Sequence, residues 1–444
     1  MRSRAPALLL ILISPLAACA ASRSHTLLAE LDALGPAPTA GSEQPPDPST
    51  PLGLPELLVS ASLHNPELRA AWHEARAASL EVPVAARLPE PTVTYGVFLR
   101  SVETRVGPQI QRLGVMQGFP WPAAQGRATM AAAARADVAR RRFEAMRHRV
   151  RAELRRPWAE LAAVEGTREV LRTVDALLER AAASARARVS AGMAGVDDLA
   201  RLMLRRTELR DKEATLGERA LTLAARIRAL AGVAPDVPLA LAAMEELPAA
   251  LPTEAALRPK LAQNPELGVA AAAVGAAQAS VEQVASRRWP SFTLGADWTV
   301  VGEARMPGVA DSGKDAVMVS AGIRVPLWTR SYGAEAEAAR ARVQAAEARR
   351  DQALSNAQAE LARVVASFAG ASRRAALNQE QLIPSAHAAL NAALASYEAG
   401  RGALSAVTEL EEMLLRYRVE WLQAQAERVR AVADLEALVG EEVR

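Results

Sequence analysis

Apolar positions in this chain follow two rhythms, a helical one over most of its length and an alternating one in two short stretches. From Tyr332 the sequence runs through Ala, Glu, Arg and Leu without a proline until Pro384. It then reaches the turn Tyr397-Glu398-Ala399-Gly400-Arg401-Gly402 and becomes periodic again. The pattern predicts a helix of about 67 residues from Ser331, a tight turn, and a returning helix of about 36. At about 1.5 Å per residue the long arm would span roughly 100 Å. On the return arm Leu404, Val407, Leu410, Leu414, Tyr417 and Trp421 make a seam close to the 3.5-residue period of a coiled coil. An earlier hairpin begins near Ala123, turns at Ser190-Ala191-Gly192-Met193-Ala194-Gly195, and returns with Leu202, Leu209, Leu216, Leu223 and Leu230 at heptad spacing. A leucine zipper with a basic DNA arm does not match this context, because a glycine turn stands upstream; the seam is expected to face its own hairpin partner. Pro157 and Pro384 lie inside the long helices and predict bends there.

The alternating stretches precede each hairpin. In the first, Val93, Tyr95, Val97 and Leu99 share one face, and Leu113, Val115 and Phe119 share a face after Val106-Gly107-Pro108. In the second, Phe292, Leu294, Ala296, Trp298 and Val300 alternate with Thr293, Gly295, Asp297 and Thr299. Val317 to Val325 alternates likewise, beyond a charged loop from Glu303 to Asp315. Strands of about 10 residues with one apolar and one polar face have the length and pattern of membrane-spanning β-strands. A soluble hairpin with one buried face has the same period. The charges Asp297 and Arg324 fall on the polar face, where a water-filled lumen would accept them, and this favours the membrane reading. Four strands cannot close a barrel, since the smallest have about 8, and an open edge has no backbone partners in lipid. A membrane sheet of this kind would need several chains.

The two rhythms repeat in tandem. Asn65-Pro66-Glu67-Leu68 returns as Asn264-Pro265-Glu266-Leu267, Pro120-Trp121 as Pro326-Leu327-Trp328, Ala191-Gly192 as Ala399-Gly400, and Leu230-Ala231-Gly232 as Leu438-Val439-Gly440. The organisation expected is a first repeat over 54–232, with strands at about 91–120 and a helical hairpin at about 123–232. A linker over 233–253 follows, then a second repeat over 254–440, with strands at about 291–326 and a hairpin at about 331–440. The helix from Leu54, read as about 33 residues, plus the return helix from Val196 sum to nearly the length of one long helix, so two short helices would stack end to end beside it. The strands would then lie at one end of a rod and the glycine turns at the other.

Composition changes the picture at the N-terminus. Arg2 and Arg4 followed by the apolar run Ala7 to Leu16 read as a signal peptide over 1–18, too short for a mature membrane helix. Leu16-Ala17-Ala18-Cys19 contains the chain's only cysteine, which excludes an internal disulfide. The order resembles a bacterial lipobox, with Cys19 as the acylated residue, and Ala20 in place of aspartate implies the outer membrane; a chance cysteine beside a cleavage site is the plain alternative. Residues 19–53, rich in Pro, Ser, Thr and Ala, read as an extended tether. The formal net charge is only +3, with no basic block interleaved with aromatics, so nucleic acid is not an expected partner. The five histidines never take metal-ligand spacing and no glycine-rich phosphate loop follows a strand, so no enzyme, metal or cofactor is expected.

Taken together, the duplication, the Asn-Pro-Glu-Leu pair, Phe119-Pro120-Trp121 and Val325-Pro326-Leu327-Trp328, the Tyr397-Glu398-Ala399-Gly400 turn, and the closures at Gly232 and Gly440 resemble the TolC-like outer-membrane efflux proteins over residues 54–440. The resemblance implies a mainly α fold with membrane β. A homotrimer would pool four strands per chain into a 12-stranded β-barrel, and its helices would form a periplasmic α-barrel. It implies an exit duct working with a periplasmic adaptor and an inner-membrane pump, conducting passively through a gated tunnel. The adaptor would be met by the hairpin turns at Gly192, Met193, Gly195, Gly400, Arg401 and Gly402. Family members often carry acids at the tunnel entrance. Here one expected position is Ala406, Glu409 keeps a carboxylate at the other, and Asp197 and Asp198 stand at the equivalent point of the first hairpin. Acids in a first helical turn also complement the helix dipole without further role. A structural periplasmic coiled-coil spacer without a pore and a soluble helical adaptor are the rival classes, and the alternating strands argue against both. The cargo is not legible, beyond a likeness of Val106-Gly107-Pro108-Gln109 to heavy-metal efflux ducts.

Overall fold

The structure, a computed structural model, describes residues 14–34, 51–192, 195–241 and 247–442, with the side chains of 14–21 excepted. The chain divides into two compact units. One comprises Met1–Gly35, His73–Arg141 and Val269–Asp351; the other comprises Pro36–Trp72, Arg142–Gly268 and Gln352–Arg444.

The first unit holds helix α1 (Ser14–Ala33), the end of α3, and a sheet of β1 (Thr92–Val97), β2 (Glu103–Thr104), β3 (Gly107–Phe119), β4 (Ser291–Val301) and β5 (Ala316–Arg324). The main strand order is β1-β3-β4-β5, every pair antiparallel, with β2 a short partner of β3. The alternating stretches of both repeats therefore merge into one sheet. Two helices leave it, α4 (Pro122–Ser190) after β3 and α8 (Thr329–Leu377) after β5, and α7 (Pro265–Ser286) leads into β4. Ion pairs Arg127–Glu282 at 3.7 Å and Arg287–Glu335 at 3.6 Å tie α4 to α7 and the residue that follows α7 to α8.

The second unit is helical. It contains α2 (Leu54–His64), the start of α3 (Pro66–Ala85), the larger part of α4, α5 (Val196–Ala231), the short α6 (Glu254–Leu257) with a 3-10 turn Arg258–Gln263, α9 (Ile383–Glu398) and α10 (Leu404–Val439). Its core near the hairpin turns is a single cluster: Leu171, Leu178 and Ala185 of α4, Leu202 and Leu209 of α5, Leu390 and Tyr397 of α9, and Leu404, Val407 and Leu414 of α10. The heptad leucines thus face both hairpins at once, not their own partner alone.

Three local expectations change. The helix read as continuous from Leu54 breaks at Asn65, whose extended backbone (φ −62°, ψ 124°) is the conformation that a following proline imposes. Only α3 therefore continues from the return helix. The predicted bend at Pro384 appears as a π-helical turn, Asn378–Leu382, between α8 and α9, so the helix absorbs the missing amide by widening just ahead of the proline. The start of the tether, residues 19–33, is helical as part of α1, because Leu27 and Leu31 form an apolar stripe that finds a docking face; Leu31 is fully buried. Residues 1–13 and 35–50 lie outside the described part.

The repeated motifs have one physical cause. Asn65 Oδ1 accepts the amides of Glu67 and Leu68 at 2.9 and 3.0 Å, capping α3, while its Nδ2 donates to the carbonyl of Leu230 at 2.8 Å, closing α5. Asn264 repeats this, accepting from Leu267 N at 2.8 Å and donating to Leu438 O at 2.6 Å. The return helices end in left-handed glycines, Gly232 (φ 66°) and Gly440 (φ 74°). A β-carbon on Gly232 would stand 2.6 Å from the His64 carbonyl oxygen, so only glycine lets the two helix ends meet.

Candidate functional site

Two surfaces carry the features a function would use: the sheet and the paired hairpin ends. In the sheet, register sets side chains in rows. Tyr95, Leu113, Trp298 and Val317 lie side by side across all four main strands, as do Val93, Val115, Ala296 and Val319. The larger of these side chains are exposed, Val319 to 80%. The opposite face carries Thr94, Gly114, Asp297 and Met318 in one row and Gly96, Arg112, Thr299 and Ala316 in another. On it Arg112 Nε donates to Asp297 Oδ1 at 3.0 Å. A continuous apolar face left uncovered is uncommon in a water-soluble protein, and here it is backed by a face that is small and polar apart from Met318. At the junction of strands and helices Trp121 stacks on Trp289 with centroids 5.5 Å apart and lies 6.0 Å from Phe292, while Trp328 is exposed. β1 and β5 each leave one edge without a strand partner among the described residues.

The hairpin ends are built from α4, α5, α9 and α10. Gly192 and Gly400 take φ of 69° and 73°, the conformation that reverses each chain after its long helix. Gly195 caps α5, and the amides of Arg401 and Gly402 donate to the Ser396 carbonyl at 2.9 and 3.0 Å. Met193 lies outside the described residues. The Arg188 guanidinium sits 5.2 Å over the Tyr397 ring and donates to the Tyr397 carbonyl at 2.8 Å, joining the first hairpin to the second. Of the three sequence-selected acids, Asp198 approaches this cluster. Burial pushes the Tyr397 phenol up, the Asp198 carboxylate adds to the shift, and Arg188 opposes it. Asp197 and Glu409 are exposed, and among the described residues neither takes part in a hydrogen bond or ion pair.

The group that pattern reading missed is Glu411. Its side chain is 0% exposed, its Oε2 accepts from Arg205 Nε of α5 at 3.2 Å, and its Oε1 has no hydrogen-bond partner among the described residues. Arg205 also meets Glu208 at 3.2 Å and Glu412 at 3.1 Å, so one cation draws in three carboxylates from two helices. Burial pushes the Glu411 carboxyl above its ordinary range, against the pull of Arg205. A signal did exist: Leu404, Val407, Glu411 and Leu414 are spaced 3, 4 and 3, which places the acid in a seam position, whereas Leu410 is only half-buried. Beside this pair lies an open groove of about 860 Å³ between α4, α5 and α10, with Leu171, Leu216 and Leu415 between charged walls that include Arg219 and Glu420.

The family model for outer membrane efflux proteins matches residues 257–441. The match covers the second repeat, less than half of the chain. Over most of the chain the fold agrees with that of solved outer-membrane proteins and channels. The outer membrane protein VceC from Vibrio cholerae is 21% identical with a TM-score of 0.71, over 88% of this chain and 97% of that one. The Neisseria gonorrhoeae MtrE outer membrane channel, in its open state, is 18% identical with a TM-score of 0.69, over 87% and 89%. The Campylobacter jejuni CmeC outer membrane channel is 12% identical with a TM-score of 0.72, over 87% and 85%. No curated protein matches by sequence. The first repeat lies outside the matched range, yet the matched repeat shares a sheet with it and repeats its capping chemistry at Asn65 and Gly232. Among the described residues no helix is long and apolar enough to cross a membrane, and no group of three or more His, Cys, Asp or Glu is placed to hold a metal ion.

Proposed function

We propose that the chain is the outer-membrane duct of a tripartite efflux system, a homotrimer whose pooled strands close a 12-stranded barrel and whose helical hairpins form a gated periplasmic tunnel for passive conduction. The observation that carries this reading is the uncovered apolar face running across β1, β3, β4 and β5 while both outer edges stay without a strand partner among the described residues. In lipid such a sheet is stable only if copies of the chain pair those edges, because unpaired backbone groups in hydrocarbon cost several kcal/mol each, on the order of a lost hydrogen bond or more. The Arg112–Asp297 pair and the glycines on the other face suit a water-filled lumen. Trp121, Trp289 and Trp328 suit the headgroup level.

In this reading Cys19 carries the acyl anchor in the outer-membrane lipid. The turns at Gly192, Met193, Gly195, Gly400, Arg401 and Gly402 meet a periplasmic adaptor, which links the duct to an inner-membrane pump. Glu409, with Asp197 and Asp198, supplies carboxylates at the tunnel entrance, one set per subunit, favouring cations. A pair of cheap measurements tests the proposal. On a gel in mild detergent the unheated protein should run as a trimer and the heated one as a monomer. Glu409→Gln should reduce single-channel cation selectivity, and unchanged selectivity with unchanged efflux would remove Glu409 from the entrance.

A further inference from the structure

The helix found where a slack tether was expected has a definite seat. Ser24 Oγ donates to the Ser79 carbonyl of α3 at 2.9 Å, in a buried position. Leu27 packs against a cluster of Val82 from α3 and Ala132, Ala133 and Ala136 from α4. Glu30 pairs with Arg140 of α4 at 3.3 Å, and Leu31 is 1% exposed. Polar and apolar contacts therefore fix α1 to two helices at once.

These contacts also fix its direction. Gln125 of α4 donates to the Ala86 carbonyl at the end of α3, which marks a common level just below the strands. Along α3, Ser79 lies seven residues from that level, about 10 Å away; along α4, Arg140 lies fifteen residues from it, about 22 Å away. Ser24 meets the nearer residue and Glu30 the farther one, so α1 runs away from the strands as its numbering rises. Followed backwards, Cys19 lies five residues before Ser24 in the same helix, about 8 Å nearer the strands. That brings its backbone to within one helical turn of the Ala86–Gln125 level. The Trp121–Trp289 stack marks this same junction.

We infer that residues 22–33 are a brace, docked across α3 and α4, that delivers the lipid-bearing N-terminus to the level where the strands meet the helices. This rests on the proposed reading of a lipid-anchored membrane sheet. Two independent features then converge on one plane, the aromatic residues that mark a headgroup level and the backbone of the residue proposed to be acylated. The lipid contacts of the anchor are set by folded structure, not by the reach of a flexible chain.

The test uses the full acylated protein in phosphatidylethanolamine and phosphatidylglycerol nanodiscs. Amides of residues 27–33 should exchange at least about 100-fold more slowly than in an unstructured peptide. Leu27→Asp with Leu31→Asp should abolish that protection while protection of α3 and α4 persists. A nitroxide on Ser22→Cys, in the acylated protein where Cys19 is blocked, should be immobile and accessible to oxygen dissolved in the bilayer, and mobile and water-accessible in the double variant. Exchange of residues 27–33 at unstructured rates, or a fully aqueous Ser22 label in the protected wild type, would overturn the brace. Acylation is read separately by mass spectrometry and pore formation by conductance. An unmodified Cys19 with α1 protected overturns the anchoring role, and acylated conducting channels with α1 unprotected overturn the brace alone.

Discussion

A buried acid in a coiled-coil seam sets up an electrostatic problem that one arginine resolves. Glu411 and Arg205 occupy seam positions of α10 and α5, and among the described residues neither has an alternative buried partner of opposite charge. Removing the cation leaves a carboxylate inside the helical core with Glu208 and Glu412 nearby, the situation that costs about 3–5 kcal/mol when a buried pair loses one member. Arg205→Met should therefore lower the thermal unfolding midpoint markedly, and Arg205→Met with Glu411→Gln should recover most of the loss. A pair that acts only through packing would show no recovery.

The pH dependence has a defined sign. The folded-state carboxyl of Glu411 is raised above its ordinary 4.5, so its contribution is fully present below that value and is lost as pH rises through the raised one. Asp175 has the opposite sign. Hydrogen bonds from Arg206 and Arg210, at 2.8 and 3.2 Å, hold its carboxyl below the ordinary 3.8, with Arg206 first among the causes and burial opposing. Its contribution to the first hairpin is present above 3.8 and is lost as pH falls through the depressed value. Unfolding midpoints measured across pH should show Glu411→Gln flattening the limb above 4.5 and Asp175→Asn flattening the limb below 3.8; exchanged or absent effects would contradict these assignments.

At the scale of elements, the alternating stretches and the heptad leucines were legible because burial on one face imposes a period of two on a strand and 3.5 on a packed helix. Leu202 and Leu209 are buried where that spacing places them, and Trp298 falls in register with Leu113 and Val317. What the period does not carry is the partner. The leucine seam reads the same whether it meets one helix or three. The brace was hidden differently, since the Pro-rich run after Leu34 dominates the composition of that segment over the short apolar stripe of Leu27 and Leu31. Glu411 escaped because a charged residue in a seam reads as a skipped position, and Leu410 beside it continues the pattern. The Asn-Pro-Glu-Leu and Leu-x-Gly motifs were visible as repeats, but their meeting at helix ends required the structure. Asn65→Ala removes a cap and should cost about 1 kcal/mol. Gly232→Ala puts a β-carbon against His64 in a left-handed conformation and should cost about 1–2 kcal/mol from backbone strain alone. Because both act at one junction, the double variant should lose less than the sum, read from unfolding midpoints; full additivity would separate the two contacts.

At the scale of the molecule, duplication explains why one sheet draws strands from both repeats. Each repeat supplies one long hairpin and two main strands, too few to hide either sheet edge. The uncovered apolar face and the open edges make the same demand, which further copies of the chain would meet in lipid. The decisive measurement is the mass of the acylated protein in detergent taken together with its ion conductance in a planar bilayer. A trimeric mass with discrete, uniform channels is the expected result. A monomer or dimer that folds, keeps its sheet and conducts nothing would contradict the duct and leave these helices as a periplasmic spacer.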